Sequence, residues 1–463
     1  MFDKIRKIIV LGGISFFIAI LLIPTPSGLT PAGQKAFAVF ILCLSLWISQ
    51  AIPLSMTGLL GIALIPLFNI LNLEHTFSLF GNRAIFFILG ALILAAGIYQ
   101  TGLGSRIAFK IMRTFGHNPK KLLLGILFSS AVLSCIMPEH AVAALLFPII
   151  IEIASSLELE PLQSSYAKYL FLSMAWGAIA GGITTYLGGA RNLLAVGLLE
   201  KNYDITIGFF EWITYSWPLP TLILLFASLM LSKFINIDVN SIQPARDKLK
   251  KKMLEKGDLS FTEKKLSIVL ILVLFNWLFL SHHIDIAITS ILGGISTFVI
   301  GVVEWDDIEK YVNWGILLMY GGAIVVATSL VETGATSWLS HTVFANLELA
   351  PFTFLIFLAI FTMVMTEGVS NVAAVAIVLP LAFSIGEIYN INPIIITLSV
   401  ALPGGLAFSL PMGSPPNAIA FSSGYYRVDE AIKLGVILLL VAWISYIIVA
   451  KFYWPLIGLK IIL

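Results

Sequence analysis

The sequence contains few charged residues and almost no cysteine. Only 11% of its 463 residues are Asp, Glu, Lys or Arg, whereas 59% are hydrophobic. Soluble globular proteins carry about 25% charged residues, because their surfaces must meet water. The composition therefore excludes an ordinary soluble protein and predicts that a lipid bilayer covers much of the surface. The two cysteines, Cys43 and Cys135, lie in apolar runs, so a disulfide framework is also excluded.

Motifs of nucleic-acid binding and of common enzymes are missing as well. The formal net charge is +2, and no basic patch is interleaved with aromatic residues, so no nucleic-acid partner is predicted. Neither His-Glu-x-x-His nor Gly-x-Ser-x-Gly occurs in the sequence. We predict no enzymatic activity and no resident cofactor. An intramembrane enzyme that uses Glu139 and His140 stays a remote alternative.

Long apolar segments are what the sequence does contain. A membrane-spanning helix needs about 20 mainly apolar residues. Nine segments fit a simple crossing: 8–23, 35–52, 54–71, 84–103, 213–233, 266–282, 286–303, 313–331 and 432–453. Four longer apolar stretches are interrupted near their middle by Pro, Gly or polar residues: 122–155, 168–200, 351–387 and 392–424.

The four interrupted stretches complete the predicted fold. Two of them, 122–155 and 351–387, are predicted to be re-entrant helical hairpins that return to their own side. The other two, 168–200 and 392–424, are predicted to be broken helices that cross. The fold is therefore an all-α polytopic membrane protein with about 11 transmembrane helices, two hairpins and two broken helices.

Basic residues predict the orientation. Lys4, Arg6 and Lys7 precede the first apolar run, which lacks a small-x-small cleavage pattern after it and indicates a retained helix. Segments 104–121 and 236–265 are rich in Lys and Arg, which accumulate in cytoplasmic loops. Counting from a cytoplasmic N-terminus places both segments inside and the C-terminus outside. We predict a multi-pass protein of the plasma (inner) membrane.

The chain also repeats itself. Three pairs of segments match with a common offset of 232 residues: 90–96 with 322–328, 101–102 with 333–334, and 143–148 with 375–380. A fourth pair, 188–192 with 413–417, matches after a small gap. By the count of crossings, one hairpin enters from inside and the other from outside. Such inverted repeats are typical of secondary transporters. The predicted divisions are an N-terminal helix (1–34), a first repeat (35–235), a cytoplasmic linker (236–265) and a second repeat (266–463).

Polar residues interrupt the second half at 366–371 and again at 413–417. Non-helical backbone at membrane depth is tolerated only against protein or a watery cavity. Broken helix ends offer free N–H groups and a positive dipole end to an anion. Freed carbonyls and the amides of Asn371 and Asn417 suit a hard cation such as Na⁺. The pattern predicts a buried site for a small anionic substrate and a coupling ion.

The residues at these interruptions resemble a known family. Ser370-Asn371, the ten-residue spacing from Ser370 to Pro380, and Ser-Pro-Pro-Asn at 414–417 are similar to the divalent anion–sodium symporter family. The resemblance covers nearly the whole chain. It implies an elevator-type homodimer with a scaffold domain and a moving transport domain. It also implies a small divalent anion, a C4 dicarboxylate or sulfate, between the hairpin tips, with Na⁺ beside each tip as the possible coupling ion.

In the second half the resemblance implies particular site residues. The implied substrate-binding residues are Ser370, Asn371, Ser414, Pro415 and Asn417. The implied sodium ligands are Ser370, Asn371, Gly413 and Asn417. The family's hairpin tips read Ser-Asn-Thr, and here Val372 replaces the threonine of the second tip.

The first half departs from the family pattern. Pro138-Glu139-His140 takes the place of Ser-Asn-Thr, and residues 188–192 take the place of Gly-Thr-Pro-Pro-Asn. Ionisable groups at a helix centre in the membrane cost about 2.5–3.5 kcal/mol each, and they usually mark function. The residues predicted to bind substrate in this half are Glu139, His140, Arg191 and Asn192. The alternative is a buried Glu139–Arg191 ion pair that only ties the hairpin to the broken helix.

The predicted function is secondary active transport of a small divalent anion, by cation-coupled symport or by anion exchange. A proton-coupled antiporter or an oxyanion exporter of a related transporter type stays open as the alternative. A flux assay with and without Na⁺ separates these modes.

The predicted orientation has a direct test. In a background that lacks Cys43 and Cys135, a Lys251→Cys variant should be labelled by an impermeant thiol reagent only after the membrane is opened. The reason is that the lysine-rich linker stays in the cytoplasm. Labelling of this variant from outside intact cells would contradict the topology.

Overall fold

In a computed structural model of the chain, helices make up almost all of the regular structure. The structure describes residues 2–115, 118–233, 237–239, 241–281, 283–344 and 349–462. Within these ranges there is no β-strand, and an isolated antiparallel bridge pairs Ile391 with Ile462. The prediction of an all-α chain is confirmed.

The helices follow one another through short connections. Before the linker they are α1 (Phe2–Leu22), α2 (Pro31–Ser49), α3 (Leu54–Leu67), α4 (Leu73–Phe80), α5 (Arg83–Thr101), α6 (Leu103–Phe115), α7 (Pro119–Ser134), α8 (Glu139–Ser156), α9 (Ser165–Gly182), α10 (Ala190–Tyr203), α11 (Phe209–Ser216) and α12 (Pro218–Lys233). The linker and second half contain α13 (Gln243–Lys256), α14 (Phe261–Phe275), α15 (Ile286–Val299), α16 (Trp305–Tyr311), α17 (Trp314–Glu332), α18 (Ala335–Phe344), α19 (Pro351–Gly368), α20 (Asn371–Ile388), α21 (Pro393–Ala401), α22 (Pro415–Ser422), α23 (Val428–Ile448) and α24 (Trp454–Leu456).

Several helices are long and apolar enough to cross a membrane. In the described ranges seven meet both criteria, or eight if α11 and α12, bent by 44° at their junction, form one span. Shorter apolar helices add to these: Ile8–Leu22, Leu54–Leu67, Ile286–Val299 and Pro393–Gly405. The prediction of a polytopic membrane protein is confirmed. The predicted number of about 11 crossings is larger because it includes short and broken segments, which length alone does not identify.

Each stretch predicted to be a hairpin contains two consecutive helices that contact each other. In the first, α7 and α8 are joined by residues 135–138, and in the second, α19 and α20 are joined by residues 369–370. Pro138 immediately precedes α8, and Ser370 caps α20 by accepting a hydrogen bond of 3.2 Å from the N–H of Ala373. Both second arms thus begin at the tip with a defined helix N-terminus.

The stretches predicted to be broken helices are interrupted near their middle. Residues 183–189 separate α9 from α10, and residues 402–414 separate α21 from α22. The second arm of each hairpin packs against the helix that follows the break in the other half: α8 contacts α22, and α20 contacts α10. This crossed packing brings both hairpin tips and both breaks toward one place between the halves.

Polar contacts between helix ends fall into two groups. The linker-side group joins the linker to the base of the first hairpin through Lys252 and Glu152, and α9 to α23 through Lys168 and Glu430. The opposite group joins three helix ends through Arg83, Glu200 and Asp285, and it joins α10 to the end of the second hairpin through Tyr203 and Glu387. These two groups mark the two ends of the helix bundle.

Candidate substrate and ion site

Glu139 lies at the tip of the first hairpin, as the first residue of α8. Its backbone N–H donates a hydrogen bond of 2.9 Å to the carbonyl oxygen of Gly188, in the break of the first broken helix. The residue is only 4% exposed. The tip and the break are therefore held together by the backbone, and a carboxylate is buried where they meet.

Arg191 is the partner of this carboxylate. It lies one residue into α10, and its Nη1 and Nη2 donate to Oε1 and Oε2 of Glu139 at 3.0 and 3.2 Å. Arg191 is 1% exposed. A two-pronged arginine–carboxylate pair is the strong geometry for such an interaction, and burial removes the screening of water. The ion pair that the sequence offered as one of two interpretations is therefore present.

The tip of the second hairpin reaches the same carboxylate. Asn371 donates from Nδ2 to Oε1 of Glu139 at 3.2 Å, and its own Oδ1 lies 2.8 Å from the hydroxyl of Thr366. Glu139 and Asn371 are separated by the repeat offset of 232 residues. Two residues that the sequence comparison aligns, one from each half of the chain, therefore meet where the hairpin tips come together. Glu139, Arg191, Asn371 and Thr366 are called the polar centre below.

Glycines make room for the polar centre. A methyl group on Gly405, in the second break, would overlap the guanidinium of Arg191, and one on Gly182 would lie 2.6 Å from Oε2 of Glu139. Arg191 therefore extends from the first break to the backbone of the second. Sequence reasoning missed both glycines, because glycine is frequent in this chain and its packing role depends on a distant side chain.

Asn192 and Asn417 hold the two breaks in the same way. Each Nδ2 donates to the carbonyl oxygens found ten and seven residues earlier: Gly182 and Thr185 for Asn192, Ala407 and Leu410 for Asn417. The equal spacing matches the sequence alignment of 188–192 with 413–417. Both residues are buried. Each asparagine thus fixes the unwound segment that precedes its helix.

Glu367 fixes the second break from the hairpin side. Its carboxylate accepts hydrogen bonds of 2.7 to 2.8 Å from the backbone N–H groups of Phe408, Ser409 and Leu410. Such convergent N–H groups are a general device for holding an anion. The sequence predicts an interruption at Glu367, but it does not predict that the carboxylate binds the second break. Its only signal was a lone acidic residue in a long apolar stretch.

The other predicted residues of the second half lie in two clusters. Ser370 caps α20 beside Asn371, whereas Ser414 and Pro415 begin α22 near Asn417. A methyl group on Gly413 would lie 2.9 Å from Oε2 of Glu367. Among the described residues no hydrogen bond joins the Ser370–Asn371 cluster to the Gly413–Asn417 cluster. The proposed sodium ligands are therefore not all brought together by direct bonds.

His140 lies beside a cavity on the other side of the tip. The cavity has a volume of about 250 Å³ and lies between the first hairpin tip, α5 and α16. Its polar lining includes His140, Lys310, Tyr99 and Tyr311. In the described part of the chain Lys310 has no ion-pair partner, and its ammonium group lies 5.2 Å from the centroid of the Tyr311 ring. Sequence reasoning missed Lys310, which it had no reason to separate from other interfacial lysines. This space is called the tip cavity below.

The buried ion pair has a measurable energetic role. Glu139→Ala leaves the guanidinium of Arg191 buried without its partner, so we expect the free energy of unfolding to fall by about 3–5 kcal/mol. The double variant Glu139→Leu/Arg191→Met removes both charges and should recover most of the loss. Thermal unfolding in detergent measures both effects.

A surface pair provides the matched control. Glu152→Ala removes one partner of the half-exposed Lys252–Glu152 pair and should cost about 0–1 kcal/mol. If Glu139→Ala and Glu152→Ala lower the free energy of unfolding equally, burial does not strengthen the Glu139–Arg191 pair.

Comparison with curated proteins shows two similar transporters. The sodium-dependent dicarboxylate transporter SdcS of Staphylococcus saprophyticus is 27% identical over 474 residues, which cover 96% of this chain and 91% of that protein. The protein of the same name from Staphylococcus aureus strain USA300 is 26% identical over 476 residues, with 97% and 91% covered.

Solved structures also resemble this fold. MtrF of Neisseria gonorrhoeae, described within a class of antimetabolite efflux pumps, superposes with a TM-score of 0.59 at 12% identity, covering 94% of this chain and 96% of that one. The YdaH transporter of Alcanivorax borkumensis gives a TM-score of 0.56 at 13% identity, covering 83% and 89%. At these identities the likeness concerns the fold alone.

A family model provides the assignment. The model described as "Sodium:sulfate symporter transmembrane region" matches residues 4–460. The match covers almost the whole chain and confirms the resemblance found in the sequence. It places the chain among transporters rather than enzymes. The protein therefore belongs to the sodium:sulfate symporter family.

Proposed function

We propose that this protein is a secondary active transporter of small divalent anions, a C4 dicarboxylate or sulfate. The observation that carries the proposal is the polar centre, where both hairpin tips meet inside a chain of a symporter family. The relatives named as sodium-dependent dicarboxylate transporters support a dicarboxylate as the first substrate to test. Transport is driven by a cation gradient or by exchange of anions.

The substrate is proposed to bind beside the first hairpin tip. His140 and Lys310 both line the tip cavity, and Lys310 supplies a positive charge that no described carboxylate pairs. A volume of about 250 Å³ is below the range of about 300–1,000 Å³ for drug-sized ligands, which favours a small anion. The other residues predicted to bind substrate lie at the hairpin tips and the two breaks rather than on this cavity: Glu139, Arg191, Asn192, Ser370, Asn371, Ser414, Pro415 and Asn417.

Sodium is proposed to bind in the second half. The proposed ligands are Ser370, Asn371, Gly413 and Asn417. An amide oxygen has two lone pairs, and Oδ1 of Asn371 uses one of them for Thr366. The Nδ2 of Asn417 is committed to backbone carbonyls, which leaves its Oδ1 for a ligand. A cation between the two clusters would supply the connection that hydrogen bonds do not make. The sodium dependence of the named relatives supports this coupling ion.

In the first half, Arg191 is proposed to take the place of an exchangeable cation. Its guanidinium is always protonated, and it is bonded to Glu139 on both prongs. A second cation at that position would be repelled by Arg191 and would find the carboxylate already occupied. We therefore expect fewer coupled Na⁺ ions per cycle than in a transporter with a cation site in each half.

The architecture proposed from the sequence has support in the contacts between helix ends. By the count of crossings, the linker-side group lies entirely in the cytoplasm and the opposite group entirely outside. This agreement supports two inverted repeats (35–235 and 266–463) after the N-terminal helix, with 236–265 as a cytoplasmic linker. The elevator motion and the homodimer are proposed from the family alone. The cytoplasmic N-terminus and external C-terminus follow from the same count.

A transport assay tests the proposed function. Purified protein in proteoliposomes should accumulate succinate or sulfate when a Na⁺ gradient is imposed. Asn371→Ala removes the contact between the hairpin tips and a proposed sodium ligand, so it should abolish uptake without loss of expression. The control is Asn202→Ala, which removes a hydrogen bond of 2.7 Å to the carbonyl of Leu198 far from the tips. Normal uptake by Asn371→Ala would be inconsistent with the proposed site.

The role of Arg191 is tested by copying the second repeat into the first. In the repeat alignment Glu139 corresponds to Asn371 and Arg191 to Pro416, so the variant is Glu139→Asn/Arg191→Pro. Removing the tethered cation should increase the dependence of uptake on Na⁺, measured as a steeper slope against Na⁺ concentration. If Arg191→Ala alone transports normally with unchanged Na⁺ dependence, the pair only braces the hairpin.

A further inference from the structure

A second cavity lies away from the hairpin tips, between α6 and the linker helix α13. Its volume is about 350 Å³. The charged residues of its lining are Arg113 from α6 and Arg246, Asp247 and Lys250 from α13. The floor is apolar and includes Met112 and Leu249. The space therefore combines a cationic rim with a hydrophobic base, and it is called the linker cavity below.

The positive charge of the linker cavity is not neutralised by the protein. In the described part of the chain Arg113, Arg246 and Lys250 take part in no ion pair. The carboxylate of Asp247 accepts a hydrogen bond of 3.1 Å from Gln243 instead. Three cations against one carboxylate leave a net charge of +2 on the rim. All four charged side chains are exposed, so a ligand can reach them from the surface.

Two other lysines of α13, Lys252 and Lys256, do have partners in the protein. Lys252 forms an ion pair of 2.7 Å with Glu152 of the first hairpin, and Lys256 bonds to the carbonyl oxygen of Gly102. Ala245 and Leu249 are buried on the helix. Lys252 and Lys256 therefore help to hold α13 on the protein. The three cations of the linker cavity form no ion pair within the described part of the chain, so they are available to bind a ligand.

The depth of the linker cavity fits the headgroup layer of a membrane. Helix α6 directly follows the apolar helix α5, and α13 connects α12 with α14. Helix α6 is itself amphipathic, since Phe109 and Met112 are buried whereas Lys110 and Arg113 are exposed. Because α6 follows directly after an apolar helix, its basic residues lie near the level of the lipid phosphates. The rim is thus placed where phosphate groups are concentrated.

We propose that the linker cavity binds the headgroup of an anionic phospholipid. Arg113, Arg246 and Lys250 contact the phosphate, and the glycerol and upper acyl chain pack on Met253, the partly exposed apolar residue of the lining. Clusters of Lys and Arg beside membrane spans attract anionic lipids electrostatically. A free phosphate ion shares the charge but would not cover Met253, so the lipid makes the fuller use of the site. Bound lipid also holds α13 in place, and α13 is tied to the first hairpin through Lys252.

Lipid binding to the purified protein tests the inference. Native mass spectrometry in neutral detergent, with added phosphatidylglycerol or phosphatidylcholine, should detect tight binding of the anionic lipid alone. The variant Arg246→Gln/Lys250→Gln should bind phosphatidylglycerol at least about tenfold more weakly, because two of three rim charges are lost. The control Lys248→Gln/Lys251→Gln removes the same charge from exposed positions of α13 outside the cavity and should retain binding.

Several results would overturn the inference. Equal loss of binding in both double variants would indicate a diffuse charge effect, and equal binding of phosphatidylcholine would remove the need for an anionic lipid. Displacement of phosphatidylglycerol by millimolar inorganic phosphate would identify a free anion site. If Arg246→Gln/Lys250→Gln fails to fold, Arg113→Gln reduces the rim charge from the opposite wall and should weaken lipid binding in the same way. Unchanged binding in Arg113→Gln would likewise contradict the site.

Discussion

The packing of the two hairpin tips depends on the buried carboxylate of Glu139. It accepts hydrogen bonds from the guanidinium of Arg191 and from the amide of Asn371, and the backbone of the same residue is bonded to Gly188. One residue therefore joins the first hairpin tip, the first break and the second hairpin tip. Burial of a charge is costly without a partner, so the three elements stabilise one another only when all are in place.

The two halves use one backbone plan with different chemistry. Asn192 and Asn417 make the same pair of hydrogen bonds to the breaks. The contacts between each hairpin and its break differ. In the second half, Glu367 of the hairpin accepts hydrogen bonds from three backbone N–H groups of the break. In the first half, the hydroxyl of Thr185 in the break donates to the carbonyl oxygen of Cys135 in the hairpin. The two breaks therefore share one pattern of asparagine hydrogen bonds but differ in their ionisable groups.

Much of the fold could be predicted from the sequence, since apolar length and interrupting prolines are local properties. The interruptions at 135–138 and 369–370 lie inside the predicted hairpins, and the Glu139–Arg191 pair was one of two stated interpretations. The contact of Glu139 with Asn371 was not predicted, nor was the position of Lys310 by the tip cavity. Both depend on how the halves pack against each other, and the spacing of residues along one chain carries no information on that.

The neutrality of the Glu139–Arg191 pair has an electrical consequence. Moving a single charge through the full membrane potential involves about 2.3 kcal/mol per 100 mV. A guanidinium bound to a carboxylate carries no net charge, so displacement of the pair with its surrounding helices performs no electrical work. An exchangeable ion at the same place would leave the carboxylate unpaired whenever it dissociated, and displacement of that charged site would depend on the voltage. The composition of one hairpin tip thus helps to decide how strongly the membrane voltage acts on the cycle.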